Sequence, residues 1–115
     1  MNVKDLRIGN YLRKENTVVQ IDARSIFDMS APNGMSKYEP IPLTEEWLLK
    51  FGFIDRYNAR WLQDNKMTTW EVTIIDGKFH VTVNGDEYRL CELHYVHELQ
   101  NVYHSLTGEE LTLKQ

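Results

Sequence analysis

The chain has 115 residues, 42% of them hydrophobic, a net charge of −4 and a single cysteine. That length suits one domain with a core of its own, and the lone Cys91 excludes an internal disulfide. The start "MNVKDLRIGNYL" carries Lys4, Asp5 and Arg7 and no apolar run, so it reads as neither a secretory leader nor a membrane span. The expectation is a cytoplasmic, single α+β domain over residues 1–115 with no membrane association.

Charge is unevenly spread. Residues 1–24 hold Lys4, Arg7, Arg13, Lys14 and Arg24 against three carboxylates, whereas the remainder is strongly acidic. Duplex recognition needs a basic face that releases several counterions, and nothing beyond this first segment builds one.

In chain order, "LRIGNYL" and "TVVQIDA" predict two strands joined across the polar turn "RKEN", the opening of many SH3-like barrels. Val19, Ile21 and Ala23 alternate with Gln20 and Asp22, as a half-buried strand does. Gly9 allows a bulge or tight bend. "SIFDM" and "MSKYEPI" then flank "APNG", where Asn33-Gly34 suits a turn with positive φ.

"PIPLTEEWLLKFGF" predicts a short helix. Thr44 is a good N-cap, Glu45 and Glu46 complement the positive end of the helix dipole, and Leu43 with Leu48 forms a hydrophobic staple. Gly52 suits the C′ position, with Phe53 returning onto Leu48. Trp47, Leu48 and Phe51 make the buried stripe, which leaves Leu49 about 100° beyond Leu48 and facing away from the core. "FIDRYNARWL" follows without a clear element. Its Tyr57 and Trp61, together with Leu49, are expected to form an apolar patch that contacts a host protein or a second copy of the chain.

A three-strand meander comes next, with Asp76-Gly77 and Asn84-Gly85 as two-residue hairpin signals. Two-residue loops set Trp70, Val72 and Ile74 opposite Val83, Val81 and Phe79, and place Tyr88 and Leu90 opposite Val81 and Phe79 on the third strand. One face is then apolar, and the other carries Glu71, Thr73, His80, Thr82, Glu87 and Arg89. Cys91 falls opposite Lys78, with His80 as its diagonal neighbour at about 7 Å, too far for direct proton transfer.

The segment 96–106 predicts an amphipathic helix ended by Gly108. Tyr95, Val96, Leu99, Val102, Tyr103 and Leu106 fall within an arc of roughly 120° that would cover the meander. His97, Asn101 and His104, with Gln100 beside them, lie on a polar flank and are candidate ligand contacts. They do not suit a metal. His97 and His104 are about 10.5 Å apart along the axis, whereas two ligands of one zinc lie about 3–3.5 Å from each other. No cofactor is expected.

The blocks "LRIGNYL", "EPIPLTEEWLLKFGF" and "YVHELQNVYHSLTGEEL" together resemble a family of short uncharacterised proteins encoded by gut-dwelling bacteria and by their phages and other mobile elements. The three blocks span the chain; over residues 55–92 the likeness is loose. The family has no established activity, so the resemblance implies a context and no site: an accessory protein acting inside the bacterial cell. The expected function is accordingly non-enzymatic, an interaction protein that modulates a host process or host defence. Two alternatives compete with it. One is a nucleic-acid-binding accessory using Arg7, Arg13, Lys14, Arg24 and Tyr11, which the acidic remainder argues against. The other is a small-molecule or nucleotide pocket using Tyr57, Trp61, His97, Asn101 and His104.

Overall fold

The computed structural model describes residues 6–32, 34–56, 59–63, 69–75, 78–83 and 91–113. The fold is α+β, and the chain divides into two compact units. Met1–Pro42 with Tyr95–Glu110 forms the first; Leu43–His94 with Leu111–Gln115 forms the second.

The first unit opens with a tight turn. Asn10 N–H donates to the Arg7 carbonyl at 3.0 Å, and Arg7 N–H donates to Asn10 Oδ1 at 2.7 Å. Gly9 sits at φ 102° in this turn, a conformation that a side chain would strain. Strand β1, Tyr11–Lys14, then pairs antiparallel with β2, Thr17–Gln20, and with β3, Tyr38–Glu39, giving the order β2-β1-β3. The β1–β2 connection is Glu15-Asn16, both with positive φ (50° and 69°), the backbone of a two-residue hairpin loop whose twist matches the strands.

Beyond β2 the expectation of a continuing strand fails. Ala23–Ser30 is a helix, α1. Asp22 is its N-cap, its carboxylate accepting from Ser25 N–H at 2.9 Å and from Ser25 Oγ at 3.0 Å. Ile26 and Met29 lie on the inner side of α1 and pack with Leu12, Ile21 and Tyr38, the centre of this unit's core. Each fully buried aliphatic side chain there contributes about 1.5–3 kcal/mol. Gly34–Lys37 forms one turn of 3-10 helix, and Gly34 does not take the positive φ expected of it; Asn33 lies outside the described residues.

Helix α3, Val96–Thr107, completes the first unit and packs on β1. Its N-terminus is closed by Tyr95 N–H donating to the Glu98 carboxylate at 2.9 Å, and Gly108 ends it at φ 73°. Its buried face differs from the expected arc. Val96, His97, Leu99, Gln100, Tyr103 and Thr107 are buried, whereas Leu106 is 55% exposed and Tyr95 is on the surface. The buried face is turned toward the polar flank, with Gln100 fully buried.

In the second unit, Leu43 N–H donates to the His94 carbonyl at 2.9 Å, which ties its first residue to the end of its last strand. Helix α2, Glu45–Lys50, has the expected cap, Trp47 N–H donating to Thr44 Oγ1 at 3.3 Å, and the expected ending, Phe53 N–H donating to the Leu48 carbonyl at 3.0 Å. Lys50 lies 4.9 Å from the centre of the Trp47 ring and 3.4 Å from Glu46.

The meander is part of a larger sheet. Strands β4 (Ile54–Arg56), β5 (Ala59–Gln63), β6 (Thr69–Ile75), β7 (Lys78–Val83) and β8 (Cys91–Leu93) form an antiparallel sheet in chain order. The β6–β7 register is the expected one, with Trp70, Val72 and Ile74 opposite Val83, Val81 and Phe79. Trp70, Val72 and Val81 are buried and Phe79 is half-buried. The third strand is a correction. Leu93 pairs with Phe79 and Cys91 with Val81, three residues later than the places assigned to Leu90 and Tyr88. Tyr88-x-Leu90 and Cys91-x-Leu93 offer the same alternation, so pattern alone could not choose between them. Cys91 therefore faces Val81 rather than Lys78, and His80 pairs with Glu92. The hairpin residues Asp76, Gly77, Asn84 and Gly85, with Tyr88 and Leu90, lie outside the described residues.

Candidate functional site

The polar flank of α3 has a structural occupation. Gln100, fully buried, inserts its amide against the N-terminal turn, its Oε1 accepting from Tyr11 N–H at 2.8 Å and its Nε2 donating to the Gly9 carbonyl at 3.0 Å. A side-chain amide carries one donor and one acceptor side by side, so it pairs with a peptide edge as a neighbouring strand would. Asn10, also fully buried, donates through Nδ2 to Asn101 Oδ1 at 2.9 Å. Arg7 reaches the Glu110 carboxylate with both terminal nitrogens and donates to the Gln100 carbonyl at 3.2 Å. This network joins "RIGN" to the last helix. It also pushes the Tyr11 hydroxyl above the ordinary tyrosine value near 10, through burial and then through the Glu110 charge.

The residues singled out from sequence therefore fall in different settings. Asn101 belongs to the network, His97 is buried with its ring stacked 5.7 Å from that of Tyr95, and His104 is half-buried and accepts Gly108 N–H through its carbonyl. Among the described residues no group of three His, Cys, Asp or Glu side chains is placed to hold a metal ion. In the second unit Leu49 is 49% exposed on α2, as expected of it. Trp61 lies on β5 opposite Ile54 and Glu71, and Tyr57 is outside the described residues. Arg7 is held by Glu110, which removes it from the set of cations open to a nucleic acid.

A cleft that the sequence reading missed lies in the first unit. It measures about 440 Å³ and runs between α1 and residues of β1 and β3, with Lys14, Arg24, Lys37, Phe27, Asp28 and Tyr38 on its walls. Asp28 accepts from the Tyr38 hydroxyl at 3.1 Å and sits 3.9 Å from Lys14 Nζ, whose charge lies 5.3 Å from the centre of the Tyr38 ring. Asp22 at the margin is held by Ser25, and those hydrogen bonds lower its pKa below the usual carboxylate range. The signal that could have found the cleft was the Asp22–Ser25 cap spacing, with Ile26 and Met29 on one side of the ensuing turn and Arg24 and Phe27 on the other.

No family model matches the chain, and neither a curated protein nor a solved structure is similar to it. Among the described residues no helix is long and apolar enough to cross a membrane.

Proposed function

We propose that this chain is a non-catalytic interaction protein that docks on a host protein through the second unit, around Leu49 and Ile54. One observation carries the reading. Between Trp47 and Ile54 the chain buries Leu48, Phe51 and Phe53 almost completely, yet leaves Leu49 at 49% and Ile54 at 58% exposure. The two lie across the turn closed by Gly52 N–H on the Leu49 carbonyl, and β4 places Ile54 opposite Trp61 at the edge of the sheet. Exposed aliphatics on both sides of one turn, with an aromatic residue next in register, support a protein contact at this surface. The mobile-element context, with a host process or host defence as the target, rests on the resemblance of the three sequence blocks.

The test uses the full chain as bait in lysate of a gut-dwelling bacterial host, alongside Leu49→Asp, Ile54→Asp and a control, Val18→Asp, whose apolar side chain is 47% exposed in the other unit. The expected result is one host protein, retained by wild type and by the control and lost with both second-unit variants. Retention by all four baits would defeat the proposal. Light scattering on the purified chain identifies the competing case, in which a second copy is the partner.

A further inference from the structure

We propose that the cleft of the first unit binds a nucleotide unit, free or within a single strand, with the base stacked on Phe27 and the phosphate held by Arg24 and Lys37. The cleft gathers three cations from three separate elements: Lys14 from β1, Arg24 from α1 and Lys37 from the 3-10 turn. They are not equivalent. Lys14 is occupied by Asp28 and by the Tyr38 ring, whereas Arg24 and Lys37 have no ion-pair partner among the described residues. The two carboxylates of the cleft are engaged in turn, Asp22 by the Ser25 cap and Asp28 by Tyr38 and Lys14. Asp22 keeps its charge under the Ser25 cap, so three cations face two carboxylates and the cleft carries a net charge of +1.

Phe27 specifies the rest of the ligand. It is 80% exposed, the most open of the large apolar side chains described, and it shares the outer face of α1 with Arg24, one turn away. A ring this open encloses nothing, so an aliphatic side chain gains little from it, but a planar partner can lie on its face. A planar group joined to an anion, at a site with a stacking ring and two cations that make no ion pair, is the chemistry of a nucleotide. The cleft volume of about 440 Å³ is in the range of small-ligand sites. Duplex DNA is a poor fit, since one cleft with two open cations in a chain of net charge −4 releases few counterions.

The experiment titrates the full chain, at low salt, with two probes: thymidine 5′-monophosphate by calorimetry and a fluorescent oligothymidylate by anisotropy. Saturable binding of either probe is expected. Binding of both identifies a nucleotide pocket, and binding of the strand alone identifies a strand groove. Phe27→Ala should weaken binding roughly ten-fold or more through lost stacking. Arg24→Ala with Lys37→Ala should flatten the log–log salt dependence of strand binding by roughly 1.4, the share of two phosphate contacts. Arg13→Ala, a cation outside the cleft, should leave the Phe27 effect unchanged. Phe27→Leu, which keeps an apolar side chain without a ring, serves if the alanine variant loses its thermal transition. No saturation by either probe, or equal affinity of wild type and the Phe27 and Arg24/Lys37 variants, overturns the proposal. So does binding of a phosphoserine peptide by a chain that ignores both nucleotide probes.

Discussion

Gln100 illustrates how one side chain can settle the orientation of a helix. Its amide meets the backbone of Gly9 and Tyr11 from 89 residues away in sequence at the nearer of the two. Gln100→Leu keeps the bulk and removes both bonds, leaving the Tyr11 N–H without its acceptor; the expected loss is about 1–3 kcal/mol, read from urea denaturation. A loss within error would mean that the packing of α3 does not depend on this pair. Gly9 and Gly108 make a second comparison. At Gly108, φ is 73° and an added Cβ meets nothing, so Ala costs about 1 kcal/mol. At Gly9, φ is 102° and the Cβ would come within 3.0 Å of the Glu110 carboxylate that Arg7 holds, so Ala costs about 2–3 kcal/mol. The order of the two thermal midpoints checks this. The raised Tyr11 pKa has a defined sign: its folded value exceeds the unfolded one, so that contribution is intact below the ordinary tyrosine value and is lost as pH rises through the raised one. Glu110→Gln should bring the Tyr11 transition in an ultraviolet titration down toward the ordinary value.

Hairpins and caps show the same logic over a few residues. The β1–β2 loop forces Glu15 and Asn16 into positive φ, which costs residues with a side chain energy that Asn-Gly avoids. Exchanging Glu15-Asn16 for Asn-Gly should raise stability by about 1 kcal/mol, seen as a higher urea midpoint with an unchanged slope. A fall in stability would show that the loop is held by contacts other than its backbone. Thr44→Ala removes the cap of α2 and should cost about 1 kcal/mol. That helix has one full turn between cap and ending, so little else holds its first amides. Such signals span three or four residues, which is why the ends of α2, the ending of α3 and the β6–β7 register were legible. The start of α1 was legible in principle, from Asp22 and Ser25, but the alternation of Val19 and Ile21 continued past Gln20 and masked it.

At the scale of the chain the two units alternate along the sequence, Tyr95–Glu110 belonging with the N-terminal segment and Leu111–Gln115 with Leu43–His94. Of the exposed apolar positions, Leu49 and Ile54 belong to the second unit, and Phe27, beside the cleft, is the most open of those in the first. Leu49→Asp changes a side chain already half in water, and such substitutions move stability by about 0.5 kcal/mol or less. The expected outcome is an unchanged thermal midpoint with association lost. A large drop in the midpoint would place Leu49 in the core and end its candidacy as a contact.

Residues 70–83 and 44–53 carry their own instructions. A cap bonds an amide three residues on, and hairpin pairing follows from alternation and a short loop, so the order of residues was enough to read α2, the β6–β7 register and the exposure of Leu49. The order of residues was not enough for α3. Its apolar arc predicted one buried face, and the structure turns the helix so that Gln100 and His97 go inside, because the Gly9–Tyr11 backbone needs a donor and an acceptor there. The same holds for β8, where two equivalent alternations competed, and for the cleft, whose cations come from three elements brought together by folding. Local hydrogen bonds are written in neighbouring residues; the satisfaction of a buried peptide group by a side chain 89 positions away is decided when the chain closes on itself.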